Sequence, residues 1–337
     1  MHRNLYILSI LACLTVSSLF AQEPGPSSAP TTGGRSTAKP QSGPTEDFTK
    51  LAVDRTVLKP WLAGSQLGKL DTPNYTREYV RLMWRHGDPI DVYIVFPHGA
   101  KKPRVALYLY SYPSEIDKFQ DDGWCTRATS KGIAAVAFIS ALTGERYRMR
   151  PMREWFVSEL QESMASTAHD VQLILDYLAA RGDLNVDKVG MFGQGSGASI
   201  AILAAAADPR ITALDLLNPW GDWPDWLKSS PVVPDDERAK YLTPEFLDKA
   251  AVVDPVTYLP QLKDRAYRVQ QIMDDPENPP MARDKIAAAV PQDRLAQFKD
   301  ASAHRDAWKV TGISGWIAAH LQPAAQGTAG GATGVLQ

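Results

Sequence analysis

The sequence predicts an α/β protein with one doubly wound, mainly parallel sheet and helices on both of its faces. Near-continuous apolar runs, typical of strands buried on both faces, alternate along the 337 residues with segments of helical periodicity. One apolar run, 189–192, leads directly into a glycine-rich turn over 193–197 and then into an alanine-rich helix over 199–207. Right-handed crossovers between such units place a functional site at the carboxyl ends of the strands.

The elements before the glycine-rich turn are a hairpin, two buried strands and a long helix. The hairpin turn is His-Gly-Asp-Pro at 86–89, between two β-rich runs. The long helix has apolar residues from Val157 to Leu178 at spacings near 3.6, and Gly182 follows it as a stop signal. The strands are predicted over 79–84, 90–96, 105–110 and 133–139, with a helix over 117–130 before the last of them.

Weaker patterns follow the alanine-rich helix. A sixth strand over 211–217 precedes a short insertion over 220–265 that is rich in Trp, Pro and Asp. We expect the tryptophans of this insertion to pack against the sheet, although they are also candidates for lining a ligand cleft. The remaining elements are a helix over 244–252, strands over 267–273 and 295–298 with a helix over 282–289 between them, and a last helix over 307–320.

The first residues of the chain predict that the protein is exported. A basic start, an apolar run over 5–20 and the small residue Ala21 resemble a secretory signal peptide, 1–21. A disordered linker rich in Pro, Gly, Ser and Thr, 22–46, and a similar tail, 323–337, flank one folded domain over 47–322. We expect a secreted or periplasmic protein without a membrane span after cleavage, and rank a lipoprotein anchored through Cys13 below it.

Composition argues against several classes of partner. The net charge is −2 and no long basic run is present, which gives no reason to expect nucleic acid or an anionic membrane as a partner. The histidines are scattered, without an H-x-x-x-H pattern or a cysteine pair, so no metal site is predicted. The glycine-rich turn lacks the G-x-G-x-x-G and Gly-Lys-Ser/Thr patterns of phosphate-binding loops, and no cofactor is predicted.

The glycine-rich turn carries the most specific motif. Gly193, Gln194, Gly195, Ser196 and Gly197 form a strand–turn–helix of the pattern G-x-S-x-G, except that glycine stands at its centre. With the order of elements, it resembles the nucleophile elbow of the α/β-hydrolase fold, nearest to the dienelactone-hydrolase and prolyl-oligopeptidase-like serine esterases and peptidases. The resemblance covers about 75–321 and implies that Gly195 occupies the nucleophile position without supplying a hydroxyl.

The resemblance also implies positions for the other members of a catalytic triad. The acid follows the seventh predicted strand, where Glu277 fits and Asp275 is a close alternative. The histidine follows the last strand, where His304 fits, so the order of elbow, acid and histidine agrees with the family. One oxyanion amide would come from Ser196, and the other from the loop after the third strand.

Ser196 is the alternative nucleophile. An elbow needs small residues two positions before and after its centre, because the strand and the helix pack closely there. Gly193 and Gly197 meet this need around Gly195, whereas a turn centred on Ser196 would put Gln194 at the first of these positions. We therefore interpret Ser196 as an oxyanion residue, and Gly195 as relief of a strained conformation in a chain freed from catalysis.

The sequence is compatible with three functions. In the first, the protein lacks serine-hydrolase turnover and binds a small-molecule or peptide ligand in its pocket. In the second, it is an active carboxylic-ester or peptide hydrolase through Ser196 or another serine not yet placed. In the third, His304 and Glu277 activate a water. Gly195→Ser is expected to create turnover if the rest of the site is intact. The residues expected to contact a ligand are Ser111, Tyr112, Gln194, Trp220 and Trp223.

Overall fold

The computed structural model of the protein describes residues 45–59, 63–142, 155–312 and 314–321, and nine strands in these ranges form one sheet. The strands are β1 (Ser65–Asp71), β2 (Tyr75–Arg85), β3 (Asp88–Pro97), β4 (Arg104–Leu109), β5 (Ala134–Phe138), β6 (Asn185–Gln194), β7 (Ile211–Leu217), β8 (Ala266–Ile272) and β9 (Leu295–Phe298). The predicted signal peptide, nearly all of the predicted linker and the predicted tail lie outside the described residues.

Helices connect the strands from β4 onward. Within the described ranges they are α1 (Asp122–Thr129), α2 (Leu160–Arg181), α3 (Ser196–Ala207), α4 (Trp223–Ser229), α5 (Arg238–Tyr241), α6 (Pro244–Ala251), α7 (Pro255–Tyr258), α8 (Pro280–Ala288), α9 (Ala301–Thr311) and α10 (Gly315–Leu321). The long helix α2 ends at Gly182, which adopts the left-handed conformation at φ 77° as the predicted stop signal requires.

The topology of the sheet confirms the predicted fold class. Its order is β1-β2-β3-β5-β4-β6-β7-β8-β9; the first three strands run antiparallel to their neighbours, and β4 to β9 pair in parallel. The chain leaves β4 toward one edge of the sheet and later returns on its other side as β6. The loops after β4 and β6 therefore meet at a switch point, where α/β proteins bind ligands.

Two apolar cores lie on opposite faces of the sheet, because successive strand residues point in opposite directions. Leu107 and Met191 belong to the core with α2 and α3. Tyr108 and Phe192, the next residue in each strand, belong to the core with α1 and α10. Residues that follow these strands can thus be assigned to one face or the other.

The first strand was absent from the sequence prediction. In β1 nearly every side chain is exposed, including Leu67 and Leu70, and the strand is held by backbone pairing to β2 at the edge of the sheet. A strand without a buried face has no alternating pattern to reveal it. The insertion consequently follows the seventh strand of the structure rather than the sixth.

The prediction of one last helix over 307–320 was wrong. The structure has two helices, α9 and α10, and α9 ends at Gly312, whose φ of 71° lies in the left-handed region. Asp300 caps the start of α9 by accepting a hydrogen bond from the Ala303 amide at 2.9 Å. This earlier start places His304 inside a helix. The helix after the glycine-rich turn also begins earlier than predicted, at Ser196.

The tryptophans of the insertion are packing residues. Trp220, Trp223 and Trp226 are almost completely buried. Trp223 donates its indole hydrogen to the Val253 carbonyl at 3.0 Å, and Trp226 donates to the Glu277 carbonyl at 3.0 Å. The expectation that this cluster packs the insertion against the sheet is confirmed.

A buried ionic network ties the start of the described chain to the sheet and to α2. Glu46 accepts two hydrogen bonds of 2.6 Å from Arg85 and contacts the His169 ring at 2.6 Å. Arg85 also pairs with Asp170 of α2. The described residues contain no helix that is both long and apolar enough to cross a membrane.

Candidate ligand site at the carboxyl end of the sheet

The turn between β6 and α3 has the backbone of a nucleophile elbow. Gly195 adopts φ 54° and ψ −120°, a conformation that residues with a Cβ rarely accept. Its amide donates to the Leu217 carbonyl at 2.9 Å, and its carbonyl accepts the first helical hydrogen bonds of α3. The strand thus turns sharply into the helix at one residue, and a glycine fits there without strain.

The two flanking glycines are required by close backbone contacts. A Cβ on Gly193 would lie 2.5 Å from the Cα of Ala198, and a Cβ on Gly197 would overlap the Leu109 carbonyl. Neither contact can be relieved by turning a side chain. The close packing expected on both sides of an elbow centre is therefore present around Gly195.

The place of a nucleophile side chain is occupied. A Cβ on Gly195 would overlap the Ser111 hydroxyl, lie 2.9 Å from the Ser111 Cβ and lie 3.3 Å from Cε2 of Trp220. Ser111 Oγ and Trp220 Nε1 are both buried, and neither has a hydrogen-bond partner among the described residues. Gly195→Ser would therefore force Ser111 to move.

Ser196 serves the packing of the loop after β4. Its side chain is fully buried, and its hydroxyl oxygen accepts a hydrogen bond from the Tyr112 amide at 2.9 Å. The Tyr112 amide belongs to the loop from which the resemblance draws the second oxyanion amide. The structure therefore brings Ser111, Tyr112, Gly195 and Ser196 together, in an arrangement where protein atoms already fill the space between them.

The two candidate acids lie in the turn after β8. Asp275 accepts hydrogen bonds from the Asn218 side chain at 2.5 Å and from the Glu277 amide at 3.0 Å. Burial raises the pKa of Asp275, and these two hydrogen bonds oppose that shift. Burial also raises the pKa of Glu277, and the charge of Asp275 raises it further. Both carboxyls are thus less easily ionised than a solvent-exposed carboxyl.

His304 lies on α9, and its ring packs against Phe298 at 5.0 Å and Trp308 at 5.5 Å between ring centres. The residue is 5% exposed, and its Nε2 has no partner in the described part of the chain. Burial lowers the pKa of the ring; Asp215 opposes this shift, and two arginines add to it.

The described part of the chain contains no hydrogen bond between His304 and either candidate acid. Asp275 is already bonded within the turn after β8. A triad histidine is normally oriented by such a bond, which also stabilises its charged form. The predicted acid–histidine pair is therefore not assembled as a hydrogen-bonded unit.

A cavity of about 880 Å³ opens on the face of the sheet that carries α1 and α9. Gln194, the residue before Gly195, lines it together with His304, Leu217 and Ile272 at the ends of neighbouring strands. The other candidate catalytic residues are not among the residues that line it: Gly195, Ser196, Asp275 and Glu277. The structure thus places His304 in the lining of this cavity, together with Gln194 of the elbow.

Sequence reasoning missed most of the cavity lining. On α9, Arg305, Trp308 and Lys309 join His304 at helical spacings of one, four and five residues, which places them on one side of the helix. The sequence contains this pattern, but the predicted helix began at residue 307 and therefore left out His304 and Arg305. Lys118 and Arg127, beside and within α1, gave no signal because nothing local links them to α9.

Several solved structures have a similar fold. One is acetyl xylan esterase 1 from Thermoanaerobacterium sp., which is 13% identical in sequence with a TM-score of 0.57. The match covers 79% of this chain and 89% of the esterase. The chain has the α/β-hydrolase fold. An acetyl xylan esterase from Paenibacillus sp. R4 is similar at 15% identity and a TM-score of 0.54, over 73% and 86% of the two chains. The acylaminoacyl peptidase of Pyrococcus horikoshii is similar at 13% identity and a TM-score of 0.53, over 68% of this chain and 38% of the peptidase. No protein-family model and no curated protein matches the sequence.

Proposed function

We propose that this α/β-hydrolase-fold protein binds a small ligand and carries out no serine-hydrolase turnover. The observation that carries the proposal is the elbow: its centre is Gly195, and Ser111 and Trp220 fill the place of the missing side chain. A serine elbow depends on a hydroxyl held within reach of a base and of two free amides. Here the hydroxyl is missing, and the Tyr112 amide is already bonded.

Two features argue against Ser196 as a substitute nucleophile. Its side chain has no exposed surface, and its oxygen accepts a hydrogen bond from the Tyr112 amide. A one-residue shift along the chain moves the Cα by about 3.8 Å, whereas a misplacement of about 1 Å can cost a hundredfold in rate.

Water activation by His304 and Glu277 is the other alternative. The two side chains share no hydrogen bond within the described residues, and His304 lines a cavity that Glu277 does not line. Burial lowers the pKa of His304 and raises that of Glu277, so the charged pair that such a mechanism needs is disfavoured. We therefore place the function of the cavity in binding.

An ester-turnover assay separates the three functions. We expect the protein to hydrolyse p-nitrophenyl acetate no faster than a heat-denatured sample of itself. Turnover abolished by Ser196→Ala would establish the second function, and turnover abolished by His304→Ala but kept in Ser196→Ala would establish the third. Ser111→Ala belongs in the same series, because the buried Ser111 hydroxyl lies where a nucleophile would sit.

We also propose that the protein is exported. The support is the sequence of residues 1–21, with a basic start, an apolar run and Ala21 before the cleavage position. Expression of the full chain in a bacterium, followed by fractionation and N-terminal sequencing, tests this. We expect a mature protein that begins at Gln22 outside the cytoplasm; an uncleaved chain in the cytoplasm would overturn the proposal, and a mature chain beginning at a lipid-modified Cys13 would show an anchored protein instead.

A further inference from the structure

The mouth of the 880 Å³ cavity carries an excess of positive charge. Four cationic side chains line it and are exposed to solvent: Lys118, Arg127, Arg305 and Lys309. The one acidic residue of the lining among the described residues is Asp121, which accepts the Trp124 amide hydrogen as the cap of α1. Such an arrangement attracts an anion and holds it where the protein wall excludes part of the water.

Most of these cations have no partner of their own. Lys309 pairs with Asp306 of the same helix at 2.8 Å. Across the described ranges, Lys118, Arg127 and Arg305 take part in no ion pair. Three unpaired cations around one opening, contributed by the segment before α1, by α1 itself and by α9, are available to an anionic group from the solvent.

The interior of the cavity is aromatic and apolar. Tyr110 and Trp124 form one wall, where the Trp124 indole donates to the Tyr110 hydroxyl at 2.9 Å. Trp308 lies on the wall formed by α9, and Leu217 and Ile272 complete the lining at the strand ends. Ligand sites have this composition, with an apolar lining and a few polar groups that fix orientation.

Two residues of the cavity lining each have a buried polar atom without a partner among the described residues. His304 Nε2 and Trp308 Nε1 make no hydrogen bond to any described residue, and both residues line the cavity. Native proteins rarely leave buried polar atoms unpaired, and an unexplained one indicates a missing partner. A ligand hydroxyl in the cavity would satisfy them when the two rings turn toward it.

We propose that this cavity binds a small aromatic carboxylate that carries a hydroxyl group on its ring. The carboxylate lies at the mouth among Arg127, Arg305 and Lys118, and the ring lies inside beside Trp308. The hydroxyl reaches His304 Nε2 and Trp308 Nε1. This inference rests on the proposed function, since it names the class of ligand that the protein binds instead of hydrolysing.

Calorimetric titration with three matched probes tests the proposal: 4-hydroxycinnamate, its neutral amide 4-hydroxycinnamamide, and cinnamate, which lacks the hydroxyl. We expect the amide to bind at least about tenfold more weakly than the acid, because the cations at the mouth then have no charge to attract. We expect cinnamate to bind about three- to tenfold more weakly, for the loss of one buried hydrogen bond. Equal affinity for the acid and the amide, or no binding of the acid, would overturn the proposal.

Two charge reversals locate the site. Arg305→Glu should weaken 4-hydroxycinnamate binding by at least about tenfold, and raising the salt concentration should weaken binding to the unmodified protein. Lys101→Glu makes the same change in net charge at an exposed lysine outside the cavity lining and should alter affinity by less than about twofold. Equal effects of the two variants would overturn the assignment of the site.

Trp308→Phe keeps an aromatic ring and removes only the indole donor, so it should reduce the preference for 4-hydroxycinnamate over cinnamate. An unchanged preference would exclude the inner wall as the place of the hydroxyl. Circular dichroism of each variant checks the fold. Ester turnover would contradict the proposed function and leave the binding result intact, whereas no turnover and no binding would contradict this inference alone.

Discussion

The contact between Gly195 and Ser111 determines what the elbow can do. Gly195 keeps the backbone conformation of a nucleophile, and the two flanking glycines keep the close packing of strand against helix. A serine could occupy that backbone only if the space beside it were free, and Ser111 takes that space. The proposed lack of serine-hydrolase turnover therefore rests on two residues, Gly195 and Ser111, rather than on one.

Gly195→Ala should destabilise the protein more than a Gly→Ala substitution that introduces backbone strain without a steric overlap. Backbone strain at such a residue costs roughly 1–3 kcal/mol, and the overlap with Ser111 adds to it. Gly132→Ala is the matched control, because Gly132 has φ 73° with open space around it. Urea denaturation should rank Gly195→Ala as the less stable variant, and Ser111→Gly combined with Gly195→Ala should recover part of the difference. An equal loss in the two single variants would show that Ser111 does not obstruct the position.

The combined variant Ser111→Gly and Gly195→Ser asks whether the rest of a hydrolase site survives. Since His304 forms no hydrogen bond with Glu277 in the described part of the chain, we expect no ester turnover even when the hydroxyl has room. The assay uses p-nitrophenyl acetate with the unmodified protein as control. Turnover that depends on His304 would mean that the histidine reaches the elbow in solution.

At the level of elements, the insertion between β7 and β8 is held by its tryptophans. Trp226 is fully buried, packs against Trp220 with 4.8 Å between ring centres, and donates to the Glu277 carbonyl. The same contact fixes the turn after β8 that carries both candidate acids. The insertion thus stabilises the region around the elbow and keeps Trp220 over Gly195.

Trp226→Ala should lower the free energy of unfolding by about 3–5 kcal/mol, the usual loss for a large aromatic side chain removed from a core. Met281, which is 64% exposed on α8, gives the control, since Met281→Ala should change stability by less than about 0.5 kcal/mol. Chemical denaturation followed by circular dichroism measures both. A loss below about 1 kcal/mol for Trp226→Ala would mean that the insertion packs loosely.

At the level of the whole molecule, Glu46 joins the start of the folded chain to β2 and α2. Burial alone would raise the pKa of the Glu46 carboxyl, but hydrogen bonds from Arg85 and His169 outweigh it and hold the pKa below its usual value of 4.5. A depressed carboxylate pKa contributes stability above the pKa of the unfolded chain and loses it as the pH falls through the folded pKa. The network therefore stabilises the protein at neutral pH and weakens in acid.

The free energy of unfolding should accordingly fall as the pH decreases below about 4.5. Glu46→Gln should be less stable than the unmodified protein at neutral pH, and the gap between the two should narrow in acid. Met281→Ala, a change at an exposed residue outside this network, is the control and should leave the pH dependence unchanged. A constant gap between Glu46→Gln and the unmodified protein across the acid range would contradict the assigned role of the carboxylate.

The sequence predicted those features that depend on local pattern. Apolar runs predict the buried strands. The stop at Gly182 and the elbow glycines follow from backbone conformations and close contacts that few residues accept. It did not predict β1, which has no buried face, or the break at Gly312, because a single glycine also occurs inside helices. The contact of Ser111 with Gly195 and the cavity between α1 and α9 join distant parts of the chain, and no local pattern encodes them.

Whether the protein lacks a serine nucleophile is tested most directly by its intact mass after exposure to a fluorophosphonate, a reagent that modifies activated serine hydroxyls. We expect no added mass on the native protein, because Gly195 has no hydroxyl and the hydroxyl of Ser196 is buried and bonded to the Tyr112 amide. A stoichiometric adduct mapped to Ser111 or Ser196, absent after heat denaturation, would contradict it.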